Sequence, residues 1–196
     1  MVYSNRTGAL AHPNYGGNVL LVPHTDNFYF NVSTRVKVIH CYSVAGEELP
    51  MNTFTDGFHL LNLLSDSERE VLKQQEVKGF WQSSGASNYT FTSRRYTIDR
   101  DSRGRQRVAL NKSTRDEENT DFSPEGKKAL EHLDTLALDP ENSMEMAMGP
   151  GVAAFMDNWR VLHGRRGGQV NSRAISGADV ADQAVWKRWQ ELASLA

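Results

Sequence analysis

Cysteine is nearly absent: Cys41 is the only one. An intrachain disulfide is therefore excluded, and so is a zinc site built from thiolates. A reducing, intracellular and cytoplasmic setting is the expectation that follows. Long apolar runs are missing too. None approaches the ~20 residues that span a bilayer as a helix, so no membrane partner is expected. The opening residues Met1-Val2-Tyr3-Ser4-Asn5-Arg6 lack the apolar core of a signal peptide. Neither sign of charge dominates: 22 Lys and Arg face 24 Asp and Glu, a formal net charge of −2. No broad basic field invites nucleic acid. A local cluster of Arg94, Arg95, Arg100, Arg103, Arg105 and Arg107 is interleaved by Asp99 and Asp101, which reads as a solvated hairpin rim. Internal repeats and low-complexity tracts are absent as well.

What remains is a globular composition, 39% hydrophobic and 23% charged over 196 residues. That suffices for one domain with a real core, and residues 1–196 are read as a single domain. Residues 1–16, with Gly8, Pro13 and Gly16, are expected to be an arm or loop. Asn18 to Val22 reads as a buried strand stopped by Pro23, and Arg35 to Tyr42 as a second strand. Asn52 to Asp56 reads as a short third strand. A helix is predicted over roughly 59–76, broken near Ser65, where Ser65-Asp66-Ser67-Glu68 has capping-box spacing. Tyr89 to Thr92 alternates as a strand does. Asp99 to Gly104 reads as the loop of a hairpin. Ser123-Pro124 is a helix start, with the helix running to about Leu138. Gly149-Pro150-Gly151 is expected to be a turn leading into the strand that carries His163. A last helix is predicted over 180–194, with Trp186 and Trp189 on one face. Many short strands with two or three helices give an α+β, β-rich fold built on an antiparallel sandwich or barrel.

The chemistry-bearing residues are His24-Thr25-Asp26 at the end of the first strand, a distant His163, and Arg173 ten residues beyond it. Residues two apart on an extended chain point to the same side, so His24 and Asp26 can converge while Thr25 points away. Two imidazoles and one carboxylate are the ligand pattern of a non-haem iron site with open positions. Arginine suits an acidic co-substrate because its planar fork can hold a carboxylate through paired hydrogen bonds. An adjacent strand would aim Arg173 at the same pocket. Each signal also has a bland reading. His-x-Asp is a short word, His163 could be a core histidine, and Arg173 could be a surface charge. His-x-Asp with a distal histidine also fits a cupin-like hydrolase or isomerase with another metal.

Longer words carry a family resemblance over most of the chain. They are His24-Thr25-Asp26, Val38-Ile39-His40-Cys41, Asp56-Gly57-Phe58, Asn111 with Ser113-Thr114-Arg115-Asp116, Pro150-Gly151, the run Asp157 to Arg165, and Arg173 to Gly177. In that order they resemble the γ-butyrobetaine and trimethyllysine hydroxylase group of TauD/TfdA-like Fe(II)/2-oxoglutarate dioxygenases. The resemblance implies a double-stranded β-helix, a jelly-roll or cupin-like barrel with flanking helices. It implies His24, Asp26 and His163 as ligands of Fe(II), and Arg173, helped by Thr53, as the anchor of 2-oxoglutarate. Ascorbate is the expected reductant.

The implied reaction consumes O2 and hydroxylates a small molecule, betaine- or amino-acid-like, with release of succinate and CO2. Asn111 falls where such enzymes hold the substrate carboxylate, and equally reads as a turn asparagine. Tyr15 would supply one face of an aromatic cage for a quaternary ammonium group. Asp179 stands where the cage's late tyrosine belongs, and would attract a cation by charge alone. Only 23 residues precede His24, fewer than in the resembling enzymes. A barrel face left uncovered in this way would become an interface. The alternative to an active oxygenase is therefore an altered or partner-dependent relative, as a homodimer or paired with a related oxygenase.

Overall fold

The computed structural model describes residues 2–4, 20–30, 34–46, 49–82, 89–166 and 172–194. Its strands in chain order are β1 (Val2–Ser4), β2 (Leu21–His24), β3 (Thr34–Ala45) and β4 (Met51–Asp56). Helices α1 (Gly57–Leu63) and α2 (Asp66–Gln74) follow, then hairpins β5 (Glu76–Gln82) with β6 (Thr90–Tyr96) and β7 (Ile98–Arg100) with β8 (Gln106–Val108). After α3 (Pro124–Leu138) come β9 (Ser143–Ala147), β10 (Ala153–Asp157), β11 (Val161–Arg165), β12 (Ser172–Ala181) and α4 (Asp182–Ala193).

Local chemistry sets the helix boundaries. Ser65 accepts the Glu68 N–H at 3.3 Å, and the Glu68 carboxylate accepts the Ser65 N–H at 2.8 Å, a complete capping box. Glu68 also meets His132 of α3 at 2.7 Å, so the cap ties two helices together. Its carboxyl is held at a pKa of about 2, chiefly by the Ser65 hydroxyl and then by His132. Ser65→Ala should cost about 1 kcal/mol in a urea titration, with an unchanged m-value. Ser123 caps α3 through the Gly126 N–H at 3.0 Å, with Pro124 in the first turn.

Two four-stranded antiparallel sheets form the body, in the orders β1-β12-β3-β10 and β2-β11-β4-β9. They face each other, since Arg173 of β12 reaches Asn52 of β4 and Lys37 of β3 reaches Asp26, just beyond β2. The other face of the second sheet is covered by helices. There Leu162 of β11 is fully buried with Leu60, Leu61, Leu72, Leu130 and Leu133. The metal-type residues lie on the inner face, away from this helical core.

Several expectations change. The amino-terminal arm contains β1, which pairs Tyr3 with Gly177 at the edge of β12. Pro23 does not stop its strand. β2 runs through it to His24 because β2 is an edge strand, where a missing N–H costs no ladder bond. The run ahead of His163 is two strands, not one. β10 and β11 belong to different sheets, joined by the turn Asn158-Trp159-Arg160. β9 was not anticipated. The last helix starts at Asp182 because β12 continues to Ala181. Arg173 is not on a strand adjacent to β11 but on β12 of the opposite sheet. On α4, Trp189 is exposed, and Trp186 lies 3.8 Å from the Arg103 guanidinium. The basic hairpin is matched by acids, with Arg105 on Asp101 and Asp182, and Arg107 on Asp99.

Candidate metal centre

His24 ends β2 and lies directly opposite His163 of β11 in the ladder, so both imidazoles leave the sheet on the same face. Their ring centroids are 4.5 Å apart. Gly164 makes the approach of β2 to β11 tight. A Cβ there would stand 2.5 Å from the Leu21 carbonyl oxygen and 2.8 Å from the Thr53 hydroxyl. Beyond His24 the chain turns, with Asn27 in the left-handed region at φ 63°, which asparagine tolerates. That turn brings the Asp26 carboxylate back to the imidazoles. Oδ1 lies 3.3 Å from His24 Nε2 and Oδ2 lies 3.6 Å from His163 Nε2. One donor atom from each of the three residues falls within 4.8 Å of the others.

The surroundings orient His24 and set the charge state of the other two groups. His24 donates its Nδ1–H to the Val22 carbonyl at 2.8 Å, which leaves the Nε2 lone pair for the centre. Burial pushes the His163 pKa down to about 3, so its imidazole is neutral near pH 7. Burial alone would raise the Asp26 pKa. The charges and donors of His163, His24 and Lys37 outweigh it and keep the carboxyl well below its usual range. With His163 neutral, the standing cation in that group is Lys37, 2.6 Å from Asp26 Oδ2. Two imidazoles and an ionised carboxylate are a donor set that fits a divalent first-row metal.

Residues that sequence reading passed over fix this geometry. The Asn158 carboxamide accepts the Asp26 N–H at 2.8 Å and donates to the Asp26 carbonyl at 3.1 Å. It is buried at the β10–β11 turn, inside the Asp157 to Arg165 word, and that word was the available signal. Thr25 points away, as alternation requires. Its peptide N–H and hydroxyl bond the Leu110 carbonyl at 2.7 Å and 3.3 Å.

Asn111 lies in the same segment. Its side chain donates to the Thr25 carbonyl and accepts the Ser113 and Thr114 N–H groups. Its observed bonds therefore support the His-x-Asp turn, the turn-asparagine reading rather than a substrate contact. Tyr15 lies outside the described residues.

Arg173 reaches across from β12 and donates to the Asn52 side-chain oxygen at 2.9 Å. Burial and the nearby Arg165 charge lower its pKa to about 10, so it stays cationic near neutrality. Its Nε is buried with no hydrogen-bond partner among the described residues. Thr53 does not share this site, for a reason of register. His163 pairs with Phe54 and Arg165 with Asn52, so Asn52 and Phe54 are on the inner face. Thr53 pairs with Gly164, one residue along, and points to the helical side. Asn52 takes the place expected of Thr53. Asp179, expected as a bare anion, already faces the Lys37 ammonium at 3.4 Å.

Residues 2–178 match the family described as taurine catabolism dioxygenase TauD, TfdA family. The chain belongs to the TauD/TfdA family. Among solved structures, PvcB from Pseudomonas aeruginosa is 19% identical with a TM-score of 0.63, over 93% of this chain and 64% of that one. A taurine dioxygenase from Burkholderia xenovorans is 15% identical with a TM-score of 0.65, over 92% and 64%. An asparagine oxygenase, solved with Fe(II), 3-hydroxyasparagine and succinate, is 16% identical with a TM-score of 0.67, over 92% and 56%. These likenesses show the TauD/TfdA fold, mixed and β-rich. This TauD/TfdA chain spans less than two thirds of the length of each of the three. No curated protein matches it. None of its helices, among the described residues, is long and apolar enough to cross a membrane.

Proposed function

We infer that this TauD/TfdA chain is an Fe(II)/2-oxoglutarate-dependent oxygenase acting on a small molecule, with His24, Asp26 and His163 as the metal ligands. The observation that carries the reading is the convergence of the three donor atoms within 4.8 Å on the inner face. Bound iron would supply the oxidising chemistry, with O2 as oxidant and 2-oxoglutarate as the co-substrate decarboxylated to succinate. The chain's own residues bind, orient and shield. Arg173 and Asn52 would take the far carboxylate of 2-oxoglutarate, the orphaned Arg173 Nε offering a further donor. We also read the two opposed sheets as the larger part of a double-stranded β-helix.

An amino-acid-like substrate is favoured over a trimethylammonium compound. Lys37 sits against Asp179 Oδ2 at 3.4 Å, so that carboxylate is already shared with a resident cation, and no aromatic residue stands in its place.

Anaerobic titration of the protein with Fe(II) and then 2-oxoglutarate tests the reading. The weak visible charge-transfer band of the chelate should appear and saturate. Admission of O2 should then yield succinate. Metal-loaded protein that neither binds 2-oxoglutarate nor forms the band would refute it. Arg173→Gln should weaken 2-oxoglutarate binding by ~10- to 150-fold, the loss of a charged hydrogen bond worth about 1.5–3 kcal/mol. Metal affinity in that variant should stay at the parent value.

A further inference from the structure

Lysine is seldom buried without a partner, yet Lys37 is only 1% exposed and is the largest fully buried side chain among the described residues. It lies on β3 between Asp179 of β12 and Met156 of β10, on the inner face of its sheet. Its ammonium spans the gap between the sheets, 2.6 Å from Asp26 Oδ2 and 3.4 Å from Asp179 Oδ2. A methionine, one atom shorter, would fill most of this space without the cost of desolvating a charge. The two oxygens of Asp26 are therefore unequal. Oδ1 faces His24 at 3.3 Å and Oδ2 faces His163 at 3.6 Å, but Oδ2 alone also carries the lysine, at 2.6 Å.

We propose that Lys37 is a positioning residue that confines the Asp26 carboxylate to one-oxygen donation at the metal. The proposal rests on the ligand set assigned above. A carboxylate beside two imidazoles can offer one oxygen or both. A second oxygen would take one of the three remaining positions of a six-coordinate ion, two of which a 2-oxo acid must fill. An ammonium on Oδ2 prevents that, because the oxygen is already in a charge-assisted hydrogen bond. The same ammonium repels the incoming dication, so Lys37 trades metal affinity for open coordination positions.

The test uses Co(II) and Mn(II) as probes with the parent protein and Lys37→Met, Lys37→Gln and Lys37→Arg. The two neutral variants should bind either metal more tightly than the parent, by about tenfold, because the ammonium no longer repels the dication. Their Co(II) absorption bands should change in position and intensity as the carboxylate becomes bidentate. Their Mn(II)-loaded forms should bind 2-oxoglutarate at least ~10-fold more weakly, because a position is blocked. Lys37→Arg keeps charge and donors and should restore the parent's spectrum. Should Lys37→Met fail to fold, Lys37→Gln decides, since it is neutral yet keeps a polar amide for the buried site. Neutral variants with the parent's metal affinity and spectrum, or with weaker metal binding, overturn the proposal even if their thermal stability changes. A parent protein that binds neither probe refutes the ligand set itself, a distinct failure.

Discussion

Alanine at His163 should remove the thermal shift that a divalent metal gives the parent protein. His163 is neutral, 5% exposed and in van der Waals reach of the other two donors. It is one of the three proposed ligands, and its loss should exceed the ~10- to 100-fold cost of losing an outer partner. At a metal concentration ~100 times the parent Kd, binding stabilises the parent by about 2.7 kcal/mol. For a domain of this size that is a rise in Tm of ~5–11 °C. A hundredfold weaker site gains only about 0.4 kcal/mol at the same concentration, a shift of ~1 °C. The comparison is between shifts, so any cavity left by the missing ring does not confuse it. An equal shift in parent and variant would place the metal elsewhere.

The same residue sets an acid limit on the metal-free protein. The folded His163 pKa, about 3, lies below the unfolded value near 6.5, so protons favour the unfolded chain. Stability from neutral His163 is complete above pH ~6.5 and falls toward pH 3, by at most ~1.4 kcal/mol per unit. His163→Ala should flatten that slope in urea titrations at stepped pH.

Much of the local structure was legible because its causes are local. The Ser65 capping box, the Ser123-Pro124 start and the Asp99 to Gly104 hairpin each depend on residues within a few positions of one another. The site was legible for a different reason. His24, Asp26 and His163 belong to words that carry a family resemblance, and the fold brings one donor atom of each within 4.8 Å of the others. The failures all come from pairing between distant strands. Arg173 follows His163 by ten residues yet crosses to the other sheet, a consequence of strand order that no spacing reveals. Thr53 and Asn52 are both plausible partners for a carboxylate, and only the register with β11 decides between them. Lys37 reads as the polar member of an alternating strand. That its face is the interior of a sandwich depends on β12 and β10 lying on either side. Asn158 was visible as part of a word, but its role depends on Asp26, 132 residues away.

A second large effect is expected far from the metal. Asp134→Ala should cost about 3–5 kcal/mol of folding free energy, the loss typical of breaking a buried ion pair from one side. Asp134 of α3 grips the Arg115 guanidinium through two bonds, Nη2 to Oδ2 at 2.6 Å and Nη1 to Oδ1 at 3.3 Å. Both side chains are almost wholly buried, at 3% and 5% exposure. Removing the carboxylate leaves a guanidinium that cannot shed its proton. Glu117 also meets Arg115 at 2.7 Å, but from half-exposed solvent. Glu117→Ala should therefore cost no more than about 1 kcal/mol.

The contrast between these two variants in urea titrations measures burial directly. Arg115 closes the segment that starts at Asn111, and Asn111 and Leu110 hold Thr25 between two proposed ligands. Asp134→Ala should thus also weaken metal binding while leaving every ligand in place. An Asp134→Ala protein no less stable than Glu117→Ala would show that the Arg115–Asp134 pair does not hold α3 to this segment.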